Sequence, residues 1–89
     1  MKLHGNKFFK SVSSNEFVEK GTLIWAETTN VRNDHSCEGP FFLLKDWNPK
    51  AFESKKSLGL LSTESGEVLF VNSYSFLFTT FYILDLDKK

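Results

Sequence analysis

The reactive residue types of this chain gather in one stretch, Asn30 to Gly39, read as NVRNDHSCEG. Arg32, Asp34, His35, Cys37 and Glu38 lie there within seven positions. A histidine two residues from a cysteine suggests a base and a nucleophile. Cysteine chemistry, however, needs a stabilised thiolate and an oriented base, which sequence proximity alone does not supply. Zinc is a poor match. A structural site uses four ligands, and the chain has only Cys37, His35 and a distant His4 as soft donors. The expected catalytic residues, metal ligands and cofactors are therefore none. A long polar loop held by a rigid sheet is where partner contacts tend to sit, so Arg32, Asp34, His35 and Glu38 are expected to bind a partner.

Other chemistry is thinly represented. The five glycines (5, 21, 39, 59, 66) are scattered at element boundaries and form no phosphate cradle. No Gly-x-Ser-x-Gly or Ser-x-x-Lys context surrounds any serine. Asp85 and Asp87 share a strand face near the end of the chain and read as solubilising charges. Lys7-Phe8-Phe9-Lys10, and Phe41 to Trp47 around Lys45, place rings beside cations as single-stranded nucleic acid would require. Paired phenylalanines on a strand more often form core, and a net charge of zero weakens any pull on phosphates.

The elements that would position these residues follow from pattern and punctuation. Lys7 to Val12 reads as a first strand. Ser13 with Glu16 has the spacing of a capping box, opening a short helix to Lys20 that Gly21 stops. Thr22 to Thr28 and Phe41 to Asp46 read as strands. Asn48 and Pro49 can cap and start a helix over Pro49 to Ser57, ended by Gly59. Leu60 to Ser62 and Glu67 to Val71 form a hairpin around Gly66. Tyr74 to Leu86 reads as one long strand, or two broken near Thr79-Thr80. Strict alternation along it turns Tyr74, Phe76, Phe78, Thr80, Tyr82, Leu84 and Leu86 inward. Phe81 and Ile83 then fall on a second, partly covered face and are expected to meet a partner.

Length and composition bound the whole. Eighty-nine residues make one domain, 1–89, and ten Phe, two Trp and two Tyr supply the apolar density that so short a chain needs. A single cysteine excludes an internal disulfide and fits a reducing, cytoplasmic setting. No apolar run follows the charged start, so no signal peptide is expected. The uncharged run from Val68 to Leu84 has the length of a short membrane anchor. Its Asn72, Ser73, Ser75, Thr79 and Thr80 favour buried strands instead, and no membrane is expected. Charge is uneven, since no Lys or Arg lies between Ser57 and Asp87 while Glu64, Glu67, Asp85 and Asp87 do.

The expected fold is α+β and mainly antiparallel β. Five to six strands would form a curled sheet or a small SH3-like or OB-like barrel, with one or two short helices. The expected function is that of a small, non-enzymatic protein-binding module. It would be an inhibitor that occupies another macromolecule, of the phage-type host or defence class or the immunity-protein class, with a protein partner or a second copy of itself. The alternatives are a nucleic-acid-binding β-barrel and, behind it, a small enzyme or nuclease using the His35 loop.

Overall fold

The computed structural model describes residues 7–29, 35–52 and 57–85. Six antiparallel strands form one sheet: β1 (Phe9–Val12), β2 (Leu23–Thr29), β3 (His35–Leu43), β4 (Leu58–Ser62), β5 (Val68–Val71) and β6 (Thr79–Leu84). Their order across the sheet is β1-β6-β2-β3-β4-β5. Neighbours in sequence pair from β2 to β5, while the last strand inserts between the first two. The mainly antiparallel β class is as the residue pattern implies.

Register assigns the two faces, because directly opposed residues in an antiparallel ladder share a side. Val12 opposes Phe81, Phe81 opposes Ala26, Leu43 opposes Leu60, and Leu58 opposes Val71. All of them are buried in one cluster with Ile24, Phe41, Val18, Trp47 and Phe52. This is the inner face. Phe81 is 1% exposed, so it is core, and the expectation that it meets a partner is corrected. Ile83 is half-buried and packs against the same cluster.

The inward set expected from Tyr74 onward is also corrected, because the chain does not enter β6 directly. Ser73–Leu77 is a 3-10 helix. Asn72 accepts a hydrogen bond from the Tyr74 N–H at 2.9 Å, and Ser75 Oγ accepts one from the Asn72 N–H at 3.1 Å. That reciprocal cap satisfies donors that a strand would have paired across the sheet. The intervening turn resets the parity, so Phe81 faces inward and Tyr82 outward. Tyr74 and Phe78, expected inside, are exposed.

Two connections carry the remaining differences. Ser13 to Lys20 forms turns rather than a helix. The Glu16 side chain does reach back to the Ser13 N–H at 3.3 Å, as a capping box would. Two residues on, however, Val18 and Trp47 exchange backbone bonds of 2.7 and 2.8 Å, which commits the segment to an isolated β-bridge. After Trp47, Asn48 Oδ1 accepts from the Lys50 N–H at 2.9 Å, and the Ala51 N–H donates to the Asn48 carbonyl at 2.9 Å. The expected helix thus opens on a capped turn through Phe52, and residues 53–56 lie outside the described residues.

Strand β3 begins at His35, six residues before the expected start at Phe41, so the second half of the expected loop is strand. It carries a bulge against β2, where the register shifts between Ile24 and Ala26. Gly39 sits there with φ 137° and a cis peptide to Pro40. A Cβ at Gly39 would lie 2.8 Å from Trp25 Cδ1 and 3.1 Å from the Ile24 carbonyl oxygen, so the indole occupies the space a side chain would need.

Trp47 is fully buried, with its ring centroid 5.1 Å from Phe52 and 5.5 Å from both Phe76 and Phe81. Trp47→Ala is expected to cost about 3–5 kcal/mol, read from the urea midpoint. A cost below about 1 kcal/mol would mean that this ring cluster does not organise the core.

Candidate protein-binding surface

The residues singled out in the sequence are not all brought together. Arg32 and Asp34 lie outside the described residues. His35 opens β3 opposite Thr29. Glu38 is exposed at the inner-face position opposite Ala26. Glu38 and Phe81 line one cavity of about 230 Å³, together with Thr28, Phe70, Ser75 and Thr79. Phe81 belongs to its wall and is not a surface group.

Beside this cavity, which Ser75 and Thr79 line from the same segment, stands a rim that the residue pattern did not single out. The 3-10 helix has three residues per turn, so Tyr74 and Leu77 stack on one side of it. Both project away from the core, as does Phe78, and all three are 65–70% exposed. Phe70, on edge strand β5, also lines the cavity, but its register opposite Gly59 puts it at an outward position with Val68, so its 65% exposed ring belongs to the other face of the sheet. Tyr74, Leu77 and Phe78, three large apolar side chains, form an outward patch of the kind that marks contact sites. The signal for it was the Asn72 cap with Ser75, which turns Tyr74, Leu77 and Phe78 out of the sheet.

Beside the rim, β3 and the β4–β5 turn diverge. Strand β4 pairs with β3 only along Phe41 to Leu43, whereas β2 pairs along almost all of β3. A cavity of about 450 Å³ opens in the gap, lined by Cys37, Glu38, Phe41, Ser62, Glu64 and Glu67, among others. Three carboxylates line it, with no cationic side chain. The turn above is held by backbone and hydroxyl bonds. Thr63 donates twice to the Pro40 carbonyl, and the Ser62 hydroxyl accepts from the Glu64 and Ser65 N–H groups.

Cys37 lies opposite Glu27, on the outer side of the sheet. Burial pushes its thiol up from the ordinary value, and the Glu27 and Glu38 charges push it the same way. Tyr82 is raised by burial first, then by Glu27 and Cys37. A thiol kept protonated is the reverse of an activated nucleophile. Among the described residues no three His, Cys, Asp or Glu side chains converge as metal ligands. No helix among them is long and apolar enough to cross a membrane, and the run from Val68 to Leu84 folds as β5, the 3-10 helix and β6.

No known protein family, curated protein or solved structure matches the chain.

The Cys37 environment sets one expectation. At about pH 8 its alkylation by iodoacetamide, followed by mass spectrometry, is slower in the folded protein than in urea, since a raised pKa leaves less thiolate. Faster reaction in the folded state would reverse the sign of the pKa shift.

Proposed function

We propose that this chain is a small, non-enzymatic protein-binding module that acts by occupying another protein, in the manner of an inhibitor. The observation that carries this reading is the exposed rim of Tyr74, Leu77 and Phe78 beside a cavity that reaches the core residue Phe81. Aromatic side chains anchored on a rigid sheet lose little entropy on docking, and the cavity beside them can accept one apolar side chain. The neighbouring carboxylates Glu38, Glu64 and Glu67 favour a partner that presents Lys or Arg next to that side chain.

The sheet serves this role as a half-open, SH3-like or OB-like barrel. Val12 on β1 and Val71 on β5 belong to the two edge strands, yet both are buried in the cluster that holds Phe81. Such a curl directs the open end of the inner face, and so the rim, to one side of the molecule.

Nucleic-acid binding has less support. Stacking sites need cations beside exposed rings, and no Lys or Arg lies between Ser57 and Asp87, the stretch that supplies the rim. Lys7 lies over the half-exposed Phe8 at 5.2 Å from the ring centroid, which occupies that cation in an intramolecular contact.

The test is capture from host lysate by immobilised protein, with partners identified by mass spectrometry. Leu77→Asp and Glu38→Lys are each expected to lose the wild-type partner by at least about tenfold, with the melting temperature almost unchanged. Capture unaffected by both would remove the rim as the binding surface. A wild-type complex that consists of nucleic acid, and that weakens steeply with salt, would replace the protein reading altogether.

A further inference from the structure

The outer face of the sheet carries a second apolar surface, separate from the rim. Leu23, Phe42, Leu61 and Val68 oppose one another in register across β2, β3, β4 and β5, so four neighbouring strands put an apolar side chain into a single row. Phe42, Val68 and Phe70, which opposes Gly59 on the same face, are 43%, 42% and 65% exposed. Gly59 flattens the row beside β4. The position of its missing Cβ is 3.0 Å from Leu44 Cδ1 and 3.4 Å from Val68 Cγ1, so Leu44 and Val68 close over the strand. At the other end Trp25 stacks edge-on with Phe9, their centroids 5.0 Å apart.

We infer that this face is the interface of a homodimer, two sheets packed face to face. Strands that are apolar on both parities are normally covered on both sides, and LIWA, FFLL and LGLL lack the alternation of a sheet with one wet face. On the inner side the cover is the core itself. On the outer side Tyr82 and Glu27 are buried over β6 and β2, but from Leu23 across Phe42 to Val68 and Phe70 no element among the described residues supplies a cover.

A second copy fits by chemistry and by area. Sheet faces pack on one another at about 10 Å, and a twofold axis through the row lays each apolar side chain on its own kind. Like-charge repulsion, the usual obstacle to self-association, is small here. Among the described strand residues the only carboxylate or ammonium at an outward register position is Glu27, which is buried, and the chain carries no net charge. Scaled by about 150–250 Å² per ring and less per aliphatic chain, the exposed fractions of Phe42, Leu44, Val68, Phe70 and Leu84, with the half-buried Phe9, Leu23, Trp25 and Leu61, leave roughly 500–600 Å² of apolar side chain on this face. Two copies would thus bury roughly 1,000–1,200 Å² from apolar side chains alone, the lower bound of a specific interface before any rim is added.

Sedimentation equilibrium of the full chain, over roughly 1 μM to 1 mM, tests this. The wild type is expected to be dimeric. Phe42→Asp should be monomeric with an unchanged circular dichroism spectrum. Val68→Thr, close to isosteric, should raise the dissociation constant by roughly tenfold, because each dimer then buries two hydroxyls. Leu77→Asp should leave the dimer intact. A wild type that stays monomeric throughout overturns the inference. So does a dimer indifferent to both Phe42→Asp and Val68→Thr, or one dissolved by Leu77→Asp alone, which would move the contact to the rim.

Discussion

The burial of Trp47 holds the parts of this molecule together. Its backbone exchanges two hydrogen bonds with Val18, and its indole N–H donates to the Ser13 carbonyl at 3.2 Å. Its ring meets Phe52 after the next turn, Phe76 from the 3-10 helix and Phe81 from β6. The β1–β2 connection, the β3–β4 connection, the last strand and its lead-in all converge on one side chain. Burying an indole of about 200 Å² contributes on the order of 5 kcal/mol of gross transfer free energy, and the edge-to-face pairs add to it. The 3-10 helix shows what depends on this. Phe76 is its inward residue and locks against Trp47, Phe52 and Phe81, which leaves Tyr74 and Leu77 pointing outward.

Much of the fold was legible in the residues. The hairpin around Gly66, the strand at Thr22 to Thr28 and the antiparallel class follow from β-branched and aromatic runs bounded by turn residues. The misread places share one cause, in which a tertiary pairing outweighs a local signal. Ser13 and Glu16 do form their side-chain bond, yet Val18 pairs with Trp47, 29 positions away, and no helix develops. Polar His35 to Glu38 reads as loop, but strand β2 on one side holds it in the sheet and Gly39 lets the register slip by a residue where Trp25 crosses.

The candidate site was less legible, for a different reason. Phe81 and Ile83 were placed by alternation, and one turn upstream is enough to exchange the two faces of everything that follows. The Asn72 and Ser75 reciprocal bonds that make this turn are a short polar signal inside an apolar run, easily read as a strand break and no more. Glu38 stands out as a carboxylate at the edge of a polar segment, and it lines both cavities. The rim of Tyr74, Leu77 and Phe78 does not stand out, because exposed and buried apolar residues look alike until the path of the chain is known.

The strand order has a consequence for how the chain is made. Strand β6 lies between β1 and β2, so during synthesis the first two strands emerge with no partner between them, and both wait for residues 79–84. The β2–β5 meander can form while the chain is still being extended, but Phe76 and Phe81 cannot reach Trp47 until they themselves have left the ribosome. Closure therefore waits on contacts between residues about 70 positions apart, as at Val12 and Phe81, which places the protein among slow folders for its size. In that interval the backbone of β1 and of the β6-facing edge of β2 stands unpaired, a nascent state suited to capture by chaperones.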